Sequence, residues 1–142
     1  MFYLCELVAE ELRRHARLAR CVTLRLRYCD FDTLQQQCTL PQPTNHHQLL
    51  YEAVQGLMDH LLPRRRLPVR LVGISVSRLV AGSQLQLWPS ASMRLEPLNR
   101  ALDRLRERHG FAAIQTGRTF SLGSNLPGRG HGHTMHSPPP AE

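Results

Sequence analysis

The sequence predicts an α+β domain: a small antiparallel-type sheet of three strands with two helices on one face, followed by a C-terminal helix and a disordered tail. Three observations predict it. Residues 2–19 and 45–62 carry apolar residues at the spacing of three and four that marks an amphipathic helix. Residues 22–29 and 69–79 instead alternate apolar with polar, the period of a half-buried strand. With a further strand between, the order is α-β-β-α-β through about residue 79, and the two helices must cover one face of the sheet.

In the first helix, expected over 2–19, Leu4, Leu7, Val8, Leu12, His15, Leu18 and Ala19 fall near one face, with Arg13, Arg14 and Arg17 mostly outside it. In CVTLRLRYCDF, Val22, Leu24, Leu26 and Tyr28 alternate with Thr23, Arg25, Arg27 and Cys29, giving a strand with one buried and one basic face. Asp30-Phe31-Asp32 reads as a turn and TLQQQCTL (33–40) as the second strand, ended by Pro41 and Pro43. Asn45 with Gln48 three residues later is a helix-start signal. That helix, to Leu62, is expected to bury Leu49, Leu50, Ala53, Val54, Leu57, Met58 and Leu61, and Pro63 stops it.

After RRRLP, the stretch VRLVGISVSRL alternates Val72, Ile74 and Val76 with Gly73, Ser75 and Ser77, a third strand. Leu95, Leu98, Leu102 and Leu105 mark a third helix that ends near His109-Gly110. From Ser121 onward Gly, Pro, Ser and His dominate, a composition that cannot build a core. The expected organisation is a domain over 1–79, a linker over 80–93, a helical extension over 94–118 and a disordered tail over 119–142.

A length of 142 residues predicts one domain, or one domain with a tail. Eighteen basic residues, all of them arginine, against eleven acidic ones give a net charge of +7. Such a field favours polyanionic partners, and the guanidinium fork matches phosphate better than a point charge does. The start, Met1 to Glu6, lacks a basic leader region, and no apolar run is long enough to span a membrane. Cys5, Cys21, Cys29 and Cys38 form no CxxC pair and read as small, buried or half-buried thiols. These features predict a cytoplasmic protein without a membrane partner.

At this point VTLRLRYCDFDTLQQQCTLPQPT, a helix, and then PVRLVGISVSRLV closely resemble the little-finger domain of the Y-family DNA polymerases, of the bacterial DNA polymerase IV group. The likeness continues through QLQLW and ALDRLRERHGFAAIQTG, covering about residues 3–118. It implies a module that lays its open sheet face along DNA phosphates during lesion bypass. The family's domain begins with a tether and a strand ahead of the first helix, so starting at the helix implies three strands where the family has four. An edge left unpaired in this way implies a possible dimer through it. Many members carry arginines about where Gln36 and Cys38 stand, and a basic residue where Ser75 stands, which implies weaker DNA affinity here.

Two helices on one face leave the other, with Arg25, Arg27, Ser75 and Ser77, open. Arg25, Arg27, Arg70 and Arg78 are the expected phosphate contacts, with Thr23, Ser75 and Ser77 as hydrogen-bond donors and Arg64, Arg65 and Arg66 as a further basic stretch. Binding of this kind is tolerant of sequence. A second surface is expected in GSQLQLWPS. Gly82-Ser83 before it and Pro89 after it describe a tethered extended peptide. Its Gln84, Leu85, Leu87 and Trp88 are similar to the pentapeptide by which bacterial polymerases grip the sliding clamp, with Trp88 where Phe is more usual.

No cofactor, metal or catalytic constellation is expected. Polymerase chemistry needs paired carboxylates holding two metal ions; the pair in Asp30-Phe31-Asp32 reads as a turn cap. His131, His133 and His136 form H-x-H-x-x-H in the glycine-rich tail, and His46 and His47 read as solvated residues at a helix start. The leading expectation is a non-catalytic DNA-binding module. A C-terminal fragment of a split polymerase and a clamp-binding regulatory module are the alternatives.

Overall fold

A computed structural model describes residues 1–64, 66–81, 91–110, 113, 114 and 117, with backbone alone over 91–96. Its elements run α1 (Phe2–Arg14), β1 (Arg17–Tyr28), β2 (Thr33–Thr44), α2 (His47–Leu61), a 3-10 turn (Leu62–Arg64), β3 (Val69–Ala81) and α3 (Ala91–His109). The strands form one antiparallel sheet in the order β2-β1-β3. The expected α+β class and three-stranded sheet are therefore present. Arg65, the Gln84, Leu85, Leu87 and Trp88 peptide, and the stretch beyond 117 lie outside the described residues.

The alternation in β1 sets the layers. Val22, Leu24, Leu26 and Tyr28 are wholly buried and meet Cys5, Ala9 and Leu12 of α1 with Leu50, Val54, Leu57 and Leu61 of α2. Burying each large apolar side chain contributes about 1.5–3 kcal/mol. Phe2 makes edge-on ring contacts with His47 and Tyr51, closing α1 onto α2. Enclosure pushes the Cys5 thiol up to about 12, so it remains a neutral packing group.

Several boundaries differ from the sequence expectation. α1 stops at Arg14, and Leu18 and Ala19 belong to β1. The reversal is made by Ala16 at φ 49, a left-handed residue with no glycine to announce it. The inward face of α1 is Cys5, Ala9 and Leu12, whereas Leu4, Leu7 and Val8 are only partly covered. β2 does not end at Pro41 and Pro43 but runs to Thr44. It is an edge strand, where a missing N–H is tolerated, and the pairing slips between Ala19↔Thr44 and Cys21↔Thr39 to absorb the prolines.

α2 begins one residue later than the Asn45 signal implies, with His46 at the cap. His46 is buried rather than solvated; its N–H donates to Thr44 Oγ1 at 3.1 Å. Leu49 is exposed, while Ala53 and Met58 are only partly covered. The largest difference concerns α3. Two of its expected leucines do not face the core: Leu98 and Leu105 are exposed, and among the helix's described side chains the buried ones are Asn99 and Arg106.

Polar contacts dock this helix. Arg13 Nε and Nη2 donate to the two carboxylate oxygens of Asp103 at 2.5 and 2.7 Å, and Arg13 Nη1 donates to Asn45 O at 3.0 Å. Asn99 Nδ2 lies 2.9 Å from His46 Nδ1. Arg106 Nη2 donates to Glu6 Oε1 at 3.1 Å and to Ile114 O at 3.3 Å. Burial pushes the Glu6 carboxyl above the usual range, although the Arg106 hydrogen bond and charge pull it back.

Candidate nucleic-acid interface

Residues opposite one another in an antiparallel pair share a face, so the register defines what lies on the side the helices leave open. Thr23 stands between Gln37 and Ser75, Arg25 between Gln35 and Gly73, and Arg27 between Thr33 and Leu71. Cys21 faces Thr39 and Ser77. The predicted Arg25, Arg27, Ser75 and Ser77 are thus brought together and are all exposed. Thr23 belongs to the same face but is enclosed by its neighbours, at 8% exposure. Gln36 pairs with Leu24 and Cys38 with Val22, both core-facing, so these two positions belong to the covered side of the sheet.

Each arginine has a distinct setting. Arg25 Nε and Nη2 both donate to Gln35 Oε1, at 3.2 and 3.1 Å, while Gly73 puts no side chain on its other flank. Arg70 occupies the β-bulge of β3, where the register shifts from Arg27↔Leu71 to Tyr28↔Val69. The shift turns Arg70 outward, and its guanidinium lies 4.7 Å from the centre of the Phe31 ring. Arg27 lies 5.3 Å from the same ring, with Nε donating to Phe31 O at 3.3 Å. Arg78, at φ 53, is exposed beyond the pair Cys21↔Ser77. Arg64 ends the 3-10 turn and Arg66 follows it, both exposed.

The β1–β2 turn closes this end of the sheet. Tyr28 N–H donates to Asp32 O at 2.9 Å, Asp32 N–H to Asp30 Oδ1 at 3.2 Å, and Thr33 N–H to Asp32 Oδ1 at 2.8 Å. The two aspartates therefore act as turn caps. Cys29 N–H donates to Pro68 O at 3.0 Å, which brings the segment before β3 beside the turn. Sequence reasoning missed Gln35 and Phe31. Gln35 was legible only through the register, and Phe31 only as an apolar residue inside a polar turn.

An open, arginine-bearing antiparallel sheet backed by two helices, with donors along it, defines a class: a small α+β module whose free face suits a polyanion. Comparison with known proteins gives the family. Residues 1–87 match the impB/mucB/samB family C-terminal domain. Over 121 residues the chain is 37% identical to a protein named DNA polymerase IV from Dehalococcoides mccartyi (strain CBDB1), covering 84% of this chain and 31% of that one. Similar proteins of the same name occur in Desulfatibacillum aliphaticivorans, 31% identical over 81% of this chain and 30% of the relative, and in Caulobacter vibrioides, 32% identical over 82% and 29%. The chain belongs to the impB/mucB/samB family, the Y-family polymerases, and corresponds to their C-terminal, little-finger domain. It spans about a third of the length of these relatives.

Proposed function

We propose that this domain is a sequence-tolerant DNA-binding module of a Y-family polymerase, gripping the phosphate backbone through its open sheet face during repair and lesion bypass. The observation that carries this reading is the grouping of Arg25, Arg27 and Arg70 on the helix-free side, with Ser75 and Ser77 as donors beside them. Among the described residues none of these three guanidiniums has a carboxylate partner. Arg78, Arg64 and Arg66 extend the basic surface. In this reading the module is non-catalytic, and phosphoryl transfer belongs to the parts of the polymerase that the matched region does not include.

The test is fluorescence anisotropy of the full chain on a primer-template duplex at several salt concentrations. Four to five phosphate contacts predict that log K falls with log salt at a slope of about −4. Replacing Arg25 and Arg27 together by alanine should reduce the magnitude of that slope by about 2. Absence of binding at low salt, or binding indifferent to the double replacement, overturns the reading.

A further inference from the structure

Phe31 is out of place by every local rule. It is an aromatic residue at φ 68, a backbone region that bulky side chains avoid, and it leaves 57% of its surface in water. Turn stability does not explain it, since glycine would adopt the same conformation without steric cost. Its ring is nevertheless in contact with two guanidiniums, Arg27 at 5.3 Å and Arg70 at 4.7 Å from its centre. Those two cations are therefore no more than about 10 Å apart, by the sum of the centroid distances, despite their like charge. A strained residue held at a charged surface points to a role beyond packing.

We propose that Phe31 is a positioning residue that holds Arg27 and Arg70 as a two-guanidinium fork for successive phosphates of one DNA strand. The inference rests on the DNA-binding reading above and adds to it the residue that organises the contact. Charges along a strand follow one another by about 3.4 Å of helix axis, so a pair of guanidiniums this close reaches neighbouring phosphates. The face of the ring attracts each cation, offsetting part of their mutual repulsion before the anion arrives. Arg27 is fixed at a second point by its hydrogen bond to Phe31 O, and Arg70 is aimed by the bulge. The fork forms at the hairpin end of the sheet, next to the segment that Cys29 ties in through Pro68 O.

The test is a salt-titrated binding series on the full chain with Phe31→Gly, Phe31→Ala and Phe31→Tyr, in the natural background and with Arg27 and Arg70 both replaced by alanine. Phe31→Gly should melt at the same or a higher temperature, because the left-handed position is relieved. It and Phe31→Ala should nevertheless bind about three- to tenfold more weakly, with the salt slope reduced by about 0.9, whereas Phe31→Tyr binds like the natural chain. In the background lacking both arginines, Phe31→Ala should cost less than about twofold more, since it acts only through them. Natural-strength binding by Phe31→Gly overturns the fork alone. An equal loss in both backgrounds also overturns it, by making the ring a DNA contact in its own right. Failure of the unsubstituted chain to bind the duplex at low salt overturns the DNA reading and the fork with it.

Discussion

Glu6 and Arg106 show how one buried pair links the core to the C-terminal helix. Both side chains are nearly enclosed, at 3% and 4% exposure, so removing Arg106 leaves the enclosed Glu6 carboxyl without its hydrogen-bonded cation. Replacing Arg106 by methionine is expected to cost about 3–5 kcal/mol for that reason. The pH dependence follows from the carboxyl. Burial raises its folded pKa above the ordinary 4.5, so the native state binds more protons than the unfolded chain in the window above that value. Stability from this group is therefore lost as pH rises through the window. His47 acts in the opposite sense: burial, Arg13 and Arg106 lower its folded value below 6.5, so its contribution grows as pH rises toward that value. Comparing the natural chain with Glu6→Gln separates the two, because Gln keeps an acceptor for Arg106 and cannot titrate. Thermal melts at pH 5 and pH 7 should show that the natural chain loses more melting temperature on going to pH 7 than Glu6→Gln does. Equal changes would show that the carboxyl is not linked to folding.

At the scale of the element, α3 is held by its polar face. Asp103→Ala should destabilise by about 2 kcal/mol, since it removes a two-point, charge-assisted contact with Arg13. Leu98→Ser and Leu105→Ser should each stay within about 0.5 kcal/mol, because both leucines are exposed. Thermal unfolding of the three variants checks this, and the reverse ranking would mean that the leucine stripe packs on the core. The contrast explains what the sequence could reveal. β1 and α2 were legible because each buries a regular row of apolar residues, Val22 to Tyr28 and Leu50 to Leu61, and burial itself imposes the period. α3 was legible as a helix but not in its orientation. Hydrophobic periodicity assumes an apolar interface, and Asn99, Asp103 and Arg106 make a polar one. The end of α1 was hidden because Ala16 adopts a glycine-like conformation. β2 outran its prolines because it lies at an edge, a property of the sheet order and not of the strand. The site followed the same logic: alternation located Arg25 and Arg27, while Gln35 and Phe31 needed the register and the turn.

For the whole molecule, the net charge of +7 matters less than where it is displayed. Arg13, Arg14 and Arg106 are matched within the molecule by Asp103, Glu10, Glu11 and Glu6, so the helical side offers little free charge from them. Arg25, Arg27 and Arg70 face outward on the sheet side without a carboxylate among the described residues. In the proposed reading this asymmetry orients the domain toward a polyanion before contact, and the attraction should weaken once salt shortens the screening length to about 8–10 Å. Under the proposed DNA-binding reading, the surface also limits the kind of recognition. On that reading, a sheet face with arginines, serines and threonines reaches phosphates, and among the described residues no helix lies on that face to enter a groove and read base edges. Two duplexes of equal length and unrelated sequence are therefore expected to bind within about threefold of each other and with the same salt slope. Base readout would separate them further, because a single mismatched contact in a specific site costs about 1–3 kcal/mol, roughly tenfold or more. Competition anisotropy at fixed salt distinguishes the two cases. A preference beyond tenfold would mean that the sheet does more than hold a backbone, and matched affinities that fall together with salt would leave electrostatic grip as the domain's contribution to the polymerase.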